Sequence, residues 1–573
     1  MSDRILIERD VPCTLRDGTV LMSDVYRPAD DERYPVLLQR TPYDKTFFPF
    51  TWGPADASKL AQFGYAVVIQ DVRGRFQSQG DYLPHAYEAE DGYDTVQWAA
   101  EQPWSDGKVA MYGISYMGAV QWLTAATQPP ALRAITPGTS SSDVLVQHLR
   151  RGGAIQLGLV LSWGLGAAPH ELIRELGISP ELFQQLPAVI DDIDALDEWF
   201  KRLPLLPFPP MERTPKLAAW LTDVLADERN ELHDRVSSAR RHPDITVPAL
   251  EIAGWHDLIL QPELDHFMAM KSEAGSDEAR RLTRLVVGPW AHASFMGFVG
   301  EVDFGFRASS LLLDLKEDFT SMHRRWFDAR LKGIPSGIDN EPPVKLFVMG
   351  RNRWREEDEW PLSRAKTQRW HVHSTGELSR RPPERSEASV FTLDPDDPVP
   401  THGGALLMNG AYIRGPRDQA KVESRPDVLV FTSEPMDGDL EVTGRVTFSA
   451  WVAADTVDTD VVARMCDVGL DGRSINVMDG ILRLRFRDGL YDPKPLTPGE
   501  PVQVSVDLWS TSHVFLAGHR IRLQVCASDF PRYDRCPGSG ESSTVAKRVL
   551  PQRNQLFHDP ERPSFLELPV VSS

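Results

Sequence analysis

The chain has 573 residues, of which 41% are hydrophobic and 25% are charged, a composition typical of globular rather than disordered proteins. This length exceeds what one hydrophobic core usually supports, so we expect two or three domains. The 62 basic and 82 acidic residues give a net charge of −20, which argues against nucleic acids and anionic membranes as partners.

The sequence contains no segment that predicts membrane insertion or export. The first residues lack an apolar signal region, and the most apolar long stretch, residues 155–169, is too short and too rich in glycine to span a bilayer. We therefore expect a soluble cytoplasmic protein. The four cysteines show no metal-ligand spacing and fit free thiols in a reducing compartment: Cys13, Cys466, Cys526 and Cys536.

Residues 1–145 read as alternating strands and helices. Short apolar strands are predicted at 36–40, 65–70 and 109–112, with a helix of amphipathic spacing at 87–100. Continuous apolar strands separated by helices indicate a largely parallel sheet that is covered on both faces. We take this segment as the first part of an α/β domain.

A serine lies at the apex of the turn that follows the 109–112 strand. The segment is Gly113-Ile114-Ser115-Tyr116-Met117-Gly118, and a helix-compatible run follows it. Such a strand–turn–helix presents the serine hydroxyl above the sheet and the Tyr116 backbone N–H toward a developing oxyanion. The strict motif has glycine at 117, where this chain has Met117, although Gly118 meets the same need for space. The alternative is an ordinary glycine–serine turn.

The pattern changes after residue 145. Residues 146–241 are helical in pattern, with interruptions by proline and glycine, and we interpret them as a helical cap inserted into the α/β domain. The strand–helix alternation returns in residues 242–350, with strands at 249–253 and 282–287 and a long helix predicted at 310–331.

Residues 351–573 form an all-β domain in our interpretation. Segments with alternating or β-branched residues occur at 428–432, 440–452, 461–470 and 521–527, separated by turns rich in glycine, aspartate and proline. This arrangement is typical of a sandwich or jelly roll.

Two of the later strands end in loops that carry the partners a serine nucleophile needs. Asp257 follows the 249–253 strand, and His292 follows the strand that ends at 287. The carboxyl ends of parallel strands meet at one sheet edge, so Ser115, Asp257 and His292 form a candidate triad in the α/β-hydrolase order. Asp257 could instead cap the following helix, His292 could be an ordinary loop histidine, and His256 competes locally with both.

Tyr43 follows the 36–40 strand on the same expected edge of the sheet. Its phenol could supply a second oxyanion donor beside the Tyr116 N–H, and packing on apolar neighbours is the structural alternative. No phosphate-binding loop and no paired His or Cys motif is present, so we expect no cofactor and no metal.

The combined motifs resemble the X-Pro dipeptidyl-peptidase-like serine hydrolases over essentially the whole chain. The matching stretches are Arg16-Asp17-Gly18, Pro42-Tyr43-Asp44-Lys45, Asp71-Val72-Arg73-Gly74, Gly113 to Gly118, Ala253-Gly254-Trp255-His256-Asp257, Gly288-Pro289-Trp290-Ala291-His292 and, in the C-terminal half, Asp471-Gly472-Arg473 and Gly518-His519-Arg520-Ile521.

The resemblance implies an α/β-hydrolase body, an inserted helical cap and a C-terminal jelly roll. It also implies Ser115 as nucleophile, His292 as base, Asp257 as its orienting acid, and Tyr43 with the Tyr116 N–H as the oxyanion hole. A homodimer is plausible in this family.

We expect an esterase that acts on a small-molecule substrate through an acyl-enzyme. The alternatives are an amidase or acylase for glutaryl groups, with Arg150 or Arg151 binding the acyl carboxylate, an X-Pro dipeptidyl-peptidase-like activity, or a binding protein with an inactive hydrolase body. Leu258, Ile259 and Leu260 follow Asp257 where amino-acid ester hydrolases carry acidic residues, which favours an apolar pocket. Trp163 of the cap is a candidate for its wall.

Overall fold

The computed structural model describes residues 4–51, 55–141, 143, 149–226 and 229–572. Its largest element is a ten-stranded mixed sheet. The strands up to residue 357 are β1 (Ile5–Thr14), β2 (Val20–Pro28), β3 (Tyr34–Thr41), β4 (Ala66–Asp71), β5 (Ser105–Ile114), β6 (Leu132–Gly138), β7 (Arg150–Arg151), β8 (Ala154–Ile155), β9 (Leu250–His256), β10 (Arg284–Ala291), β11 (Phe298–Val299), β12 (Val302–Asp303), β13 (Val344–Val348) and β14 (Arg353–Glu357).

The sheet order is β1-β2-β4-β3-β5-β6-β9-β10-β13-β14. The seven strands from β4 to β13 run parallel. At the two sides of this series, β2 pairs antiparallel with β4 and β14 pairs antiparallel with β13, and β1 pairs antiparallel with β2. The carboxyl ends of the parallel strands therefore share one edge, where open α/β sheets bind their ligands.

Helices cover both faces of the sheet, because successive strand residues point to opposite faces and both sets are apolar. Val36 and Leu38 of β3 pack in one core cluster, and Leu37 packs in the other; all three are fully buried. The helices of the chain are α1 (Phe48–Thr51), α2 (Ala57–Gln62), α3 (Glu88–Ala100), α4 (Tyr116–Ala125), α5 (Leu157–Leu176), α6 (Pro180–Asp194), α7 (Leu196–Trp199), α8 (Pro215–Val224), α9 (Glu231–Arg235), α10 (Leu260–Glu273), α11 (Asp277–Leu282), α12 (Phe319–Phe327) and α13 (Ala420–Glu423).

Helices α5 to α9 lie between β6 and β9 in the chain, within the segment predicted as a helical cap. The predicted boundary between residues 145 and 146 lies outside the described residues. The segment is tied to the C-terminal half by backbone contacts: the Ile155 N–H donates to Asp534 Oδ1 at 2.7 Å, and the Leu205 N–H donates to the Ser543 carbonyl at 3.0 Å.

The C-terminal part is mostly sheet. Its strands are β15 (Lys366–Val372), β16 (Leu378–Ser379), β17 (Ser389–Leu393), β18 (Leu429–Thr432), β19 (Leu440–Ala454), β20 (Asp460–Val468), β21 (Ser474–Arg483), β22 (Val502–Phe515), β23 (Arg520–Cys526), β24 (Gln552–Phe557) and β25 (Phe565–Val571). One sheet has the order β16-β15-β25-β19-β24-β17, with β22 also paired to β19, and a second has the order β18-β23-β20-β21.

The part of the chain built on the ten-stranded sheet is called the body below. Backbone hydrogen bonds join it to this C-terminal part. The Met349 N–H donates to the Ser512 carbonyl, and the Val514 N–H donates to the Met349 carbonyl, each at 2.9 Å. Met349 directly follows β13, so the end of a body strand continues onto β22. The sheet of the body also extends past residue 350, since β14 ends at Glu357.

Three sequence-based expectations can be compared with these elements. The helix predicted at 310–331 is wrong in extent, because α12 covers only Phe319–Phe327 and a π-helical turn follows at Asp328–Lys332. The four cysteines are buried free thiols. Within the described residues, no helix is long and apolar enough to cross a membrane.

Candidate active site

Ser115 occupies the sharp turn between β5 and α4. Its backbone has φ 57° and ψ −123°, a strained conformation for a residue with a side chain. The turn closes tightly: a Cβ at Gly113 would lie 2.7 Å from the Met117 Cβ, and one at Gly118 would lie 2.6 Å from the Ser140 Cβ. The two glycines are therefore required by close packing, and Gly118 provides space that the strict motif places at 117.

The three predicted catalytic side chains meet at the carboxyl edge of the sheet. Ser115 Oγ lies 2.9 Å from His292 Nε2, and His292 Nδ1 lies 3.0 Å from Asp257 Oδ2 and 3.2 Å from Oδ1. Asp257 follows β9 and His292 follows β10, and both side chains are almost completely buried. The geometry is that of a hydroxyl, an imidazole and a carboxylate connected by hydrogen bonds.

The Asp257 carboxylate also accepts a backbone hydrogen bond, although it does not cap α10, whose N-cap residue is Ile259 and has no side-chain cap. Its Oδ1 accepts the Ile259 N–H at 2.9 Å, just before α10 begins at Leu260. This backbone bond orients the carboxylate while Oδ2 remains within reach of His292.

Two donors lie beside Ser115. Tyr116 is the first residue of α4, and an N–H at that position has no carbonyl one turn earlier to bond. Tyr43 lies after β3, and its hydroxyl oxygen accepts the Trp163 Nε1–H at 3.1 Å. Burial raises the pKa of the Tyr43 phenol, although hydrogen bonds with Trp163 and Ser115 oppose the rise. The phenol is therefore protonated at neutral pH and can donate its proton toward the turn.

A buried polar network holds the side chain of Tyr116, the residue that follows Ser115 in the turn. The Tyr116 hydroxyl donates to Glu88 Oε1 at 2.7 Å, and Arg40 pairs with Glu88 Oε2 at 2.6 Å. The His85 N–H donates to the Tyr116 hydroxyl oxygen at 2.9 Å, and the two rings stack with centroids 3.8 Å apart. Burial lowers the pKa of His85 to about 3, so this imidazole is neutral. Sequence reasoning assigned no role to this network, because its members lie on separate elements without a shared local pattern.

A small cavity of about 60 Å³ opens above Ser115. Apart from Tyr43, His85, Ser115, Tyr116 and His292, its walls are apolar. Helix α5 contributes Trp163, whose ring lies 5.5 Å from that of Trp220, and Leu407 reaches the cavity from the C-terminal part of the chain. The apolar lining residues are Leu149, Leu159, Val160, Trp163, Trp220, Leu258, Ile259 and Leu407.

The structure places Arg150 and Arg151 away from this cavity. Arg150 donates to the Leu225 carbonyl at 2.8 Å. Arg151 is buried against the C-terminal sheets, where it pairs with Asp479 Oδ1 at 3.0 Å and lies 3.7 Å from the centroid of the Trp509 ring. Both guanidinium groups are used in holding the β7–β8 segment. In the part of the chain that the structure describes, no cluster of His, Cys, Asp or Glu could hold a metal.

Family models match two long segments of the chain. Residues 17–294 match the X-Pro dipeptidyl-peptidase family (S15), and residues 336–567 match the X-Pro dipeptidyl-peptidase C-terminal non-catalytic domain. The chain is also 35% identical to the cocaine esterase of Rhodococcus sp. (strain MB1 Bresler), over 99% of this chain and 98% of that protein. The chain belongs to the X-Pro dipeptidyl-peptidase S15 family.

Solved structures share the architecture of this S15 protein. An aminopeptidase from the marine sediment archaeon Thaumarchaeota archaeon superposes with a TM-score of 0.79 at 21% identity, covering 99% of this chain and 97% of that one. An α-amino acid ester hydrolase superposes with a TM-score of 0.78 at 24% identity, covering 99% and 96%. At these identities the likeness concerns the fold.

Proposed function

We propose that this S15-family protein is a serine hydrolase that cleaves carboxylic esters through an acyl-enzyme. The observation that carries the proposal is the continuous hydrogen-bonded path from Ser115 Oγ through His292 to the Asp257 carboxylate, at 2.9 and 3.0 Å. The relationship to cocaine esterase over the full chain supports the choice of ester substrates.

The chemistry follows from the proton positions. Ser115 Oγ attacks the ester carbonyl carbon while its proton moves to His292 Nε2, and Asp257 stabilises the resulting imidazolium through Nδ1. The tetrahedral intermediate collapses as the carbon–alkoxy bond breaks, and the leaving alkoxide takes the proton from His292. Water then attacks the acyl carbonyl with the same base, and Ser115 is released with its proton restored.

Charge on the carbonyl oxygen must be stabilised in both tetrahedral intermediates. In the proposal, the Tyr116 N–H and the Tyr43 hydroxyl supply that stabilisation, because both lie beside the nucleophile and both are donors at neutral pH. Trp163 fixes the phenol oxygen from the cap side with its Nε1–H.

The walls of the cavity favour an uncharged apolar acyl group. A carboxylate-bearing acyl group would need a cation, and Arg150 and Arg151 are used elsewhere. A peptide amino terminus would need a carboxylate, and among the described residues that line the cavity none carries one. Esters are therefore favoured over glutaryl amides and X-Pro peptides.

We also propose the finer description of the fold: an α/β-hydrolase body, a helical cap inserted between β6 and β9, and a jelly-roll C-terminal domain. The parallel strand series with the serine after β5 supports the first part. Two largely antiparallel sheets support the last.

A fluorophosphonate probe and a substrate panel test the activity. Wild type should be labelled on Ser115 and should hydrolyse p-nitrophenyl acyl esters, whereas Ser115→Ala should show neither labelling nor turnover. Ser272→Ala, which changes an exposed serine of α10, is the matched control and should behave as wild type. Retained turnover in Ser115→Ala refutes the proposal. Comparable cleavage of glutaryl amides or Xaa-Pro anilides moves the assignment to acylase or peptidase.

A further inference from the structure

His85 lines the cavity above Ser115, and the catalytic steps proposed above give it no role. The residue is only 6% exposed, yet its imidazole makes no hydrogen bond within the described parts of the chain. A polar side chain that is buried to this extent ordinarily has a hydrogen-bond partner. The imidazole is therefore a polar group that a molecule in the cavity can satisfy.

The two ring nitrogens of His85 have different surroundings. Nδ1 is fully enclosed by the protein and has no partner among the described residues. Nε2 is also unbonded, but it is not enclosed. Because His85 is otherwise buried and lines the cavity above Ser115, Nε2 is the nitrogen that faces this cavity.

The orientation of the His85 ring is fixed by its neighbours. The ring stacks on that of Tyr116 with centroids 3.8 Å apart, and the His85 N–H donates to the Tyr116 hydroxyl oxygen at 2.9 Å. The Trp163 ring lies 6.5 Å from the His85 ring and 6.4 Å from the Tyr116 ring, so the indole stands beside the stack rather than over one of its faces. His85 therefore presents a ring edge, and not a ring face, on the side of Trp163.

The protonation of His85 makes Nε2 a hydrogen-bond donor. Burial lowers the pKa of His85 to about 3, so at neutral pH one ring nitrogen carries a proton and the other a lone pair. A proton on the enclosed Nδ1 would be a buried donor without an acceptor, which is rare in folded proteins. A proton on Nε2 instead points into the cavity, where an occupant can accept it.

The cavity itself suits a short acyl chain. Its volume of about 60 Å³ gives room for about four groups the size of a water molecule. Leu159 and Val160 of α5 are among its apolar walls, so most of the occupant is apolar as well. The Nε2 donor of His85 then selects an occupant that carries one acceptor.

We infer that His85 is a specificity-determining residue, whose Nε2–H donates to an ether or carbonyl oxygen within the chain of a short, uncharged acyl group. The inference rests on the proposed esterase function and names its substrate class as esters of short alkoxy or oxo carboxylic acids. The accepting oxygen is not a reacting atom, so the hydrogen bond is the same in the ground state and the transition state. Its loss should therefore appear mainly in KM.

Two pairs of p-nitrophenyl esters test this selectivity: butanoate with methoxyacetate, and pentanoate with 3-methoxypropanoate. Within each pair an ether oxygen replaces one methylene group at nearly constant size. The ratio of kcat/KM within a pair is compared between wild type and His85→Phe, so that the intrinsic reactivity of the two esters cancels. In at least one pair, the preference for the ether should fall about fivefold, the scale of one neutral hydrogen bond.

Three further variants separate the hydrogen bond from the shape of the cavity. His85 has φ 63°, which asparagine tolerates, and His85→Asn is too short to reach the Nε2 position, so it should lose the same preference. His85→Gln places an amide donor near that position and should restore part of the preference. Leu159→Val changes an apolar wall only and should affect both esters of a pair alike.

Unchanged ratios in folded His85→Phe and His85→Asn overturn the inference. So does an equal loss of kcat for both esters of each pair, which would assign His85 to the reacting carbonyl or to the stack, and so does an equal shift of the ratio in Leu159→Val. Calorimetry with the corresponding ethyl esters measures the same ratio without turnover, on Ser115→Ala with and without His85→Phe. Lack of turnover by wild type counts against the esterase activity, whereas the ratio of binding constants decides the role of His85 in either case.

Discussion

Replacing Tyr43 with phenylalanine tests the oxyanion arrangement most directly. The substitution removes one hydroxyl and keeps the ring, which packs at 6.4 Å from the Tyr116 ring. If the phenol donates to the oxyanion, its loss should lower kcat by about 100- to 1,000-fold, equivalent to about 2.7–4 kcal/mol of transition-state stabilisation. KM should change little, because the interaction is made with charge that develops only during the reaction.

The same substitution removes the acceptor of the Trp163 Nε1–H, which donates to Tyr43 at 3.1 Å. An unsatisfied donor in the folded state costs about 1–3 kcal/mol. Trp163 is half-buried and borders the cavity, where water can replace the lost partner, so we expect a decrease near 1 kcal/mol in the free energy of unfolding. The catalytic and structural effects can therefore be separated by magnitude.

The assay is steady-state hydrolysis of p-nitrophenyl butyrate together with urea unfolding. Trp163→Phe is the matched control: it removes the indole donor and leaves the phenol, so kcat should fall far less than in Tyr43→Phe. A kcat within threefold of wild type in folded Tyr43→Phe would refute the role of the phenol. An equal loss in both variants would show that the contact between Tyr43 and Trp163, rather than the hydroxyl as a donor, controls the rate.

Three further outcomes are expected. Asp257→Asn should lower kcat by about 10⁴-fold, because His292 loses the carboxylate that orients it and stabilises its charge. Gly118→Ala should reduce the free energy of unfolding by about 1–3 kcal/mol, since the added Cβ lies 2.6 Å from the Ser140 Cβ. Burial lowers the pKa of His323 to about 4, so between pH 6.5 and 4 the unfolded state binds a proton that the folded state does not, and the free energy of unfolding decreases as the pH is lowered through this window. His323→Gln should remove a slope of up to about 1.4 kcal/mol per pH unit in that window.

Each outcome has a simple contradiction. Asp257→Asn with kcat within tenfold of wild type would exclude the carboxylate as the orienting group. Gly166→Ala is the control for Gly118→Ala, because its Cβ meets nothing within 4 Å on an exposed face of α5, and equal stability in the two variants would contradict the packing argument. An unchanged slope of unfolding free energy against pH in His323→Gln would show that this imidazole titrates in the folded state as it does in the unfolded chain.

The sequence is enough to predict the candidate site at the carboxyl edge of the sheet, because the elements that form this edge depend on local patterns. Apolar strands followed by short loops place Ser115, Asp257 and His292 at the carboxyl ends of β5, β9 and β10, and a parallel sheet brings those ends to one edge. The family resemblance also singled out Tyr43, which residue-level reasoning alone left as a packing residue. The Tyr43 hydroxyl oxygen accepts the Trp163 Nε1–H, and its role as an oxyanion donor stays a prediction.

Long-range contacts explain what the sequence could not provide. Arg150 and Arg151 form a basic pair within the segment predicted as a cap, which suggested a site for an acyl carboxylate, yet Arg151 pairs with Asp479, 328 residues further along the chain. No local pattern encodes such a partner. The short α12 is a similar case: the segment before Phe319 is held by backbone bonds such as the Phe319 N–H to the Ser310 carbonyl, in place of the helical turns that were expected.

The contact between Arg151 and Asp479 bears on how this chain can be recombined with its relatives. The two family models divide the chain into an S15-family module and a C-terminal module. However, the second module holds the β7–β8 segment through Asp479 and supplies Leu407 to the cavity above Ser115. A chimera that joins this body to a foreign C-terminal module could carry other residues in place of Asp479 and Leu407. The β7–β8 segment would then lose its ion pair, and the lining of the cavity above Ser115 would change. The two modules are therefore expected to have diverged as one unit, and a swap should preserve both residues.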